Sequence, residues 1–166
     1  MAGLYRNGTR VSESGMVDDT QVSQVNFTDI VYLNGTTDFI ELWGYINSTG
    51  TNTVLGRNDL TYLTAHLISS ITEGEVKEKE AVVFRAGLAN DFNIENLTAT
   101  TIPLDTVIYD TDNALTDGKF KPSVAGYYQV NAGVDAGSSN EQLMASIYKN
   151  GKIVTIGNSI RLDTAV

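Results

Sequence analysis

The chain of 166 residues contains no cysteine and only two prolines. The missing cysteines exclude a disulfide framework and any metal site built on thiolates. Long apolar runs are missing too, because no window approaches the roughly 18 consecutive apolar residues of a transmembrane helix. The first residues lack a charged segment followed by an apolar one, so we expect no secretory signal. These features fit a protein made in a reducing cytoplasm, or a particle that assembles there and is then released.

Basic residues are scarce as well. The chain has 11 Lys and Arg against 20 Asp and Glu, which gives a formal net charge of −9. Proteins that bind nucleic acid carry the opposite excess, because neutralising phosphates supplies much of their affinity. We therefore expect no nucleic-acid partner, and we attribute the acidity to a soluble surface.

Catalytic signals are also few. His66 is the only histidine, and the sequence places no serine or acid beside it, so we expect it to be packed or interfacial. No phosphate-binding loop, dinucleotide fingerprint or Gly-x-Ser-x-Gly elbow occurs. Residues 110–117 hold three acids and an asparagine. Two interpretations of this loop stay open: a calcium site built from oxygen ligands, or a turn, since turns use the same residues. We expect no enzyme, no catalytic residue and no cofactor or metal site.

Strand and turn signals dominate what is present. Residues 29–33 and 39–46 are β-rich runs around an Asn-Gly pair, which predicts a hairpin. Residues 4–11 and 146–154 have the same construction, with Asn-Gly at each tip. Two further strands are predicted at 60–68 and 126–134. The one helix-like run is short and highly charged, and we interpret its residues 73–80 as a linker.

The two ends of the chain resemble each other. Residues 1–12 read MAGLYRNGTRVS and residues 144–155 read MASIYKNGKIVT, and Met144 lies 143 positions after Met1. With one residue of slippage the match continues to Val22 and Val166. The chain therefore looks like slightly more than one period of a repeat, which begins and ends in the same hairpin.

Residues 102–132 resemble the signature of C1q-like globular domains, the trimeric jelly rolls related to tumour necrosis factor. The matching positions are Asp110, Leu115, Gly118, Lys119, Phe120, Gly126 and Tyr128. Leu104, Val130 and Ala132 depart from the pattern, because the family prefers aromatics there. Residues 82–88 resemble the first strand of that family, 29–46 its penultimate strands, and 60–69 its closing strand.

The resemblance implies a ten-stranded antiparallel jelly-roll β-sandwich in permuted order. Residues 1–72 resemble the C-terminal half of a domain, and residues 81–166 the N-terminal half. Either the chain is a segment of a tandem array of such domains, or its two halves together complete one permuted domain, within one chain or between subunits. Half a sandwich exposes a sheet edge and a core face, so each half needs a partner. Two copies of one hairpin compete for one place, and we expect a domain swap in which the spare copy pairs with a neighbouring subunit. Deleting residues 1–12 should then change the solution mass.

Alternation along two strands indicates an assembly surface. Strand 60–68 is apolar on both faces, so it needs two covers, the core and another subunit. We expect a homotrimer, as in the resembled family. The predicted subunit-interface residues are Leu63, Ala65, Leu67, Tyr127, Gln129 and Asn131. In strand 126–134 we expect Tyr128, Val130, Ala132 and Val134 to face the core.

Strand 39–46 carries a row of aromatics, Phe39, Trp43 and Tyr45, on one face. This row is either a carbohydrate-binding platform or a surface packed on neighbouring strands. From the resemblance we expect a structural or adhesive virion module, a capsid decoration or a tail or fibre component, assembled in the host cytoplasm. Its partners would be other virion proteins or host-surface glycans. The alternative is a bacterial lectin-like domain, at the cell surface or secreted.

Overall fold

A computed structural model describes residues 24–47, 53–70, 81–136 and 142–157 with their side chains, and five further segments by backbone only, 2–6, 9–14, 17–18, 21–22 and 160–161. All regular structure in these residues is β-strand. The strands are β1 Ala2–Arg6, β2 Thr9–Ser14, β3 Val17–Asp18, β4 Gln21–Val22, β5 Gln24–Asn34, β6 Ile40–Asn47, β7 Thr53–Val54, β8 Tyr62–Ser70, β9 Val83–Gly87, β10 Phe92–Asn93, β11 Thr100–Thr101, β12 Thr106–Asp110, β13 Leu115–Thr116, β14 Lys119–Phe120, β15 Ala125–Asp135, β16 Gln142–Lys149, β17 Lys152–Ile156 and β18 Ile160–Arg161. Within this described part, no helix is long and apolar enough to cross a bilayer.

Two antiparallel sheets make up the body of the molecule. The first, sheet A, has five strands in the order β12-β9-β8-β15-β5. The second, sheet B, has seven, with β13-β14-β6-β16-β17 in line, β11 beside β6, and β18 beside β16. The pairs β1-β2, β3-β4 and β7-β10 are separate two-stranded ladders. The predicted all-β, antiparallel class is confirmed. Against the ten predicted strands, the described residues form five in sheet A and seven in sheet B. Four of the strands in sheet B have only two residues.

Strands from both parts of the chain share both sheets. In sheet A, β15 pairs with β5 on one side and β8 on the other. In sheet B, β6 pairs with β16 along eight residues and also meets β14 and β11. Residues before 71 and after 80 therefore form one sandwich within a single chain. The predicted linker 73–80 lies outside the described residues.

The core lies between the two sheets and is bridged by aromatic rings. Phe84 of sheet A and Phe120 of sheet B have ring centroids 4.6 Å apart, and Phe120 meets Tyr128 edge-on at 5.6 Å. The Tyr128 hydroxyl donates to the Val124 carbonyl, which satisfies its polar group in the core. The alternation predicted for β15 is confirmed, because Tyr128, Val130, Ala132 and Val134 are all 0% exposed.

Residues 34–40 do not form the predicted hairpin. β5 belongs to sheet A and β6 to sheet B, so this segment carries the chain from one layer to the other. The Asn34 side chain accepts the backbone N–H groups of residues 36 to 38, which closes the loop locally. Gly35 has φ +73°, and a Cβ there would lie 2.5 Å from the Ala125 backbone nitrogen. The Asn-Gly pair therefore makes a tight turn, but long-range pairing assigns its flanking strands to different sheets.

The two other predicted hairpins are confirmed, and they share one register. In β16-β17, Tyr148 faces Ile153 and the register shifts between Ile147 and Tyr148. In β1-β2, Tyr5 faces Arg10 and the register shifts at the equivalent step. Asn150 and Gly151 have φ values of +51° and +74°, as a two-residue hairpin turn requires.

Candidate interaction surfaces

The outer face of sheet A carries exposed aromatic and aliphatic side chains on neighbouring strands. Tyr127 on β15 is 47% exposed, and Tyr32, its partner on β5, is 37% exposed. Their ring centroids lie 5.4 Å apart. Ile30 on β5 is 60% exposed, and Ile68 on β8 is 38% exposed. Four such side chains on neighbouring strands form an apolar patch of the kind that marks protein contacts.

Polar side chains complete this face. Asn131 on β15 donates its side-chain amide to the Thr64 hydroxyl of β8 at 3.2 Å. Gln129 lies between Ile30 and His66 in the ladder, and its side chain is half-buried. His66 is exposed on this face. We expected it to be either packed or interfacial, and the first of these is wrong within the chain. Its role at a subunit interface stays a prediction. A patch that mixes apolar and hydrogen-bonding groups resembles protein–protein interfaces in composition.

The six predicted interface residues divide between two faces. Leu63, Ala65 and Leu67 belong to the core between the sheets, and they are 0%, 2% and 8% exposed. The chain itself covers these three side chains, so they offer no surface to a neighbour. Tyr127, Gln129 and Asn131 lie on the opposite, outer face. Of the two faces of sheet A, only the outer one is therefore open to a contact between subunits.

The aromatic row of β6 lies on the outer face of sheet B and is packed on its neighbours. The Trp43 indole stacks on Tyr148 of β16, with centroids 4.3 Å apart and planes 19° apart. The Lys119 ammonium lies 4.6 Å from the centroid of the Phe39 ring and 3.3 Å from the Glu41 carboxylate. These contacts cover parts of two rings that a sugar would need, which favours the packed-surface interpretation.

The tip of the β16-β17 hairpin is anchored to the start of β6. Lys149 Nζ lies 2.8 Å from Asp38 Oδ2, and Asn150 donates its side-chain amide to Asp38 Oδ1 at 2.7 Å. The Asn150 side-chain oxygen accepts the Phe39 N–H at 3.0 Å. Burial opposes ionisation of the Asp38 carboxyl. The hydrogen bonds from Lys149, from Asn150 and from the Asn34 N–H outweigh burial, and they hold the pKa of Asp38 below its usual value.

We did not predict these anchors from the sequence. Asp38 and Lys149 are 111 positions apart, and nothing local to either residue points to the other. One signal was available: the hairpin at the N-terminus carries Arg6 and Asn7 where this one carries Lys149 and Asn150. A cation followed by asparagine at both tips indicates that the pair contacts something beyond the turn.

The acidic loop 110–117 uses its carboxylates to hold its own backbone. Asp110 accepts the N–H groups of Asp112 and Leu115, and Asp112 accepts both the N–H and the hydroxyl of Ser123. In the part of the chain described with side chains, no group of three or more His, Cys, Asp or Glu residues is arranged to hold a metal ion. These contacts account for Asp110 and Asp112 as residues that hold a turn.

Comparison of the chain with protein-family models, with curated proteins and with solved structures gave no match.

Proposed function

We propose that this chain is a structural module that self-associates, as a homotrimer, through the outer face of sheet A. The observation that carries the proposal is the exposed group of Ile30, Tyr32, Ile68 and Tyr127 on adjacent strands of one sheet. Exposed apolar side chains that occur singly are normal, but a contiguous group with polar neighbours is characteristic of interfaces.

The test is the mass of the chain in solution, measured by sedimentation velocity. We expect the wild type to have three times the chain mass of 17.9 kDa. Tyr127→Glu places a charge in the centre of the patch and should give the single-chain mass, because the charge would be buried without a partner. The control is Leu97→Glu, which adds the same charge at a side chain that is 58% exposed away from this face. A wild type that sediments as a single chain would refute the proposal.

For the fold we propose the jelly-roll topology of C1q-like domains, in permuted order. Two antiparallel sheets around one core support it, as does sheet A, in which β15 of the later part of the chain lies between β8 and β5 of the earlier part. An experimental structure would decide the matter through the order in which the strands connect the two sheets.

Among structural modules, we propose a component of a virion surface that contacts other virion proteins or a host surface. The repeat, the missing cysteines and the C1q-like resemblance support this proposal. Mass spectrometry of purified particles is the test: the chain should be present at a fixed ratio to the major capsid protein. Its absence from particles would contradict the virion role and leave the trimer proposal intact.

The alternative function is that of a lectin-like domain, and the environment of Trp43 is the observation that favours it. The Trp43 side chain is half-buried, and its indole N–H finds no hydrogen-bond partner among the described residues. Specific binding on a glycan array, abolished by Trp43→Ala, would favour the lectin. Binding that survives this substitution would place the sugar elsewhere.

A further inference from the structure

Sheet B holds the β16-β17 hairpin against β6, while the chain carries a second hairpin of the same design at its N-terminus. We call residues 1–23 the N-terminal copy and residues 144–166 the C-terminal copy. The contacts made by the C-terminal copy show which side chains a hairpin needs in order to dock on the β6 edge. The N-terminal copy has a corresponding residue at each of its positions.

The inner strand of the hairpin makes most of these contacts. Along β16, Ala145 and Ile147 are 0% exposed in the core. Tyr148 stacks on Trp43, and Lys149 and Asn150 bind Asp38 and Phe39. The corresponding residues of the N-terminal copy are Ala2, Leu4, Tyr5, Arg6 and Asn7. These five positions therefore keep their residue or a chemically equivalent one. Two other buried positions of β16 do not, because Ser146 corresponds to Gly3 and Leu143 lies outside the repeated segment.

The outer strand of the hairpin shows the opposite trend, except where it contacts the rest of the molecule. Among the exposed aliphatic residues of β17, Ile153 and Ile156 correspond to the charged Arg10 and Glu13, whereas Val154 corresponds to an identical residue, Val11. The Thr155 hydroxyl, which bonds to the Asp29 carboxylate, corresponds to the hydroxyl of Ser12. With the exceptions of Val11 and Gly3, similarity thus follows contact with sheets A and B.

The path of the chain also allows the N-terminal copy to reach this edge. After β17, Gly157 lies against the Phe27 ring of β5, and a Cβ there would be 2.5 Å from that ring. The end of the docked hairpin is therefore next to the start of β5. With a shift of one residue in the alignment, Gly15 corresponds to Gly157, and the eight residues from 16 to 23 join it to β5. In the β3-β4 ladder Val17 pairs with Val22, so this linker folds back on itself and its ends lie close together, as neighbours in contact require.

We propose that the β6 edge accepts either hairpin of the same chain, and that β1-β2 replaces β16-β17 when the C-terminal copy is removed from it. The matched register supports this proposal, because both hairpins have the same pairing and the same register shift. A strand that docks on β6 needs both its hydrogen-bond register and its alternation to agree with that edge. The inference does not depend on the proposed trimer.

The decisive experiment is a set of substitutions in the full chain, read out by thermal unfolding. Ile147→Asp puts a charge into the core and should expel the C-terminal copy. We expect this variant to keep a cooperative transition, because β1-β2 takes the vacated edge. Leu4→Asp should leave the melting curve unchanged. The double variant should lose its cooperative transition, because neither hairpin can dock.

The matched control replaces Leu4→Asp by Thr9→Asp in the Ile147→Asp chain. Thr9 corresponds to the exposed Lys152, so this variant has the same charge as the double variant and should still unfold cooperatively. If Ile147→Asp alone unfolds the protein, β1-β2 is no substitute and the proposal is wrong. If the double variant stays folded, the proposal is equally wrong.

A disulfide assay tests where the rescuing hairpin docks. Tyr148 faces Glu41 across β16 and β6, so Tyr148→Cys with Glu41→Cys should give an intrachain disulfide in the otherwise native chain. In the Ile147→Asp chain, Tyr5→Cys with Glu41→Cys should give the same product under glutathione equilibration. Gly3→Cys with Glu41→Cys is the register control and should stay reduced. Free thiols in the Tyr5 variant, or disulfide-linked dimers, would overturn docking within the chain.

Discussion

The two hairpins share six of twelve aligned residues and have the same register, yet they differ in what they pair with. β16 pairs with β6 along eight residues, and its inner side chains are buried in the core. β1 pairs with β2 in a ladder separate from both sheets. Local sequence therefore determines that a hairpin forms and which residues face each other. It does not determine which of the two hairpins occupies the edge of β6.

The contacts of the docked hairpin can be measured by themselves when the other hairpin is unable to replace it on β6. Leu4→Asp should block this replacement, because the residue corresponds to Ile147, which is 0% exposed. Unless stated otherwise, the substitutions below are made in the Leu4→Asp chain, so that each one reports the contacts of the C-terminal copy alone.

The largest effect is expected from the core position of the docked hairpin. Ile147→Ala should lower the free energy of unfolding by about 2–5 kcal/mol, because it leaves a cavity in a packed core. Ile156→Ala is the control, since that side chain is 55% exposed and should cost less than about 0.5 kcal/mol. Urea unfolding monitored by circular dichroism measures both. Equal losses in the two variants would mean that β16 is not the packed strand.

The anchor at the hairpin tip should give the next largest effect, and it should depend on pH. Asp38→Asn should cost about 2 kcal/mol, because it removes the charge-assisted bonds from Lys149 and Asn150. The folded-state pKa of Asp38 is lowered. Its contribution is therefore complete above the unfolded pKa of about 4 and is lost as the pH falls through the folded value.

The measurement for this anchor is the melting temperature between about pH 6 and pH 2. The curve of the Leu4→Asp parent should fall more steeply towards acid than the curve with Asp38→Asn added, so the two should converge. Glu95→Gln is the control, because this exposed residue carries the same charge change and its curve should parallel that of the parent. Parallel curves for the parent and the Asp38→Asn variant would contradict the anchor.

The stacked pair should give a smaller change in stability and a clear optical signal. Trp43 is the only tryptophan, and Tyr148 covers one side of it. Tyr148→Ala should cost about 1–2 kcal/mol and shift the tryptophan emission to longer wavelength, because water replaces the ring. Tyr5→Ala is the matched substitution in the other hairpin and should leave the emission unchanged. An emission shift from Tyr5→Ala would mean that β1 already lies on β6.

The smallest effect is expected at the turn. Gly151 has φ +74°, and a Cβ added there would meet no atom within 4 Å, so Gly151→Ala should cost only the backbone strain of about 1 kcal/mol. Gly8→Ala is the equivalent change in the other hairpin, and it should not alter global unfolding. Chemical denaturation compares the two. A loss above about 2 kcal/mol at Gly151 would indicate contacts beyond the turn.

Periodicity predicted the strand faces well, because burial on one side of a strand leaves a period of two in the sequence. The inner residues of β6 and β15 are examples: Leu42 and Val130 are both 0% exposed. The same rule failed to separate core from interface on β8. Leu63 and Tyr62 lie on opposite faces and are both buried, because Arg85 covers the Tyr62 ring at 4.6 Å. The alternation of apolar and polar residues along β8 contains no information about a long side chain on the neighbouring strand β9.

The segment around Gly35 illustrates a different limit. Its Asn-Gly pair indicated a hairpin, and the turn does form, but β5 and β6 then enter separate sheets. Turn chemistry acts over four or five residues, whereas the choice between a hairpin and a crossing depends on which distant strands compete for each edge. Here β15 takes β5 and β16 takes β6.

The sequence by itself determined the all-β class, the alternation of buried and exposed side chains, and the two Asn-Gly hairpins with their shared register. Each of these follows from interactions between residues close in the chain. Only the tertiary structure decided that β16 pairs with β6, that Asp38 binds Lys149, and that Leu63 faces the core while Tyr127 faces outward. These outcomes depend on contacts between residues that are far apart in the chain, and two hairpins with the same register therefore differ in their surroundings once one of them pairs with β6.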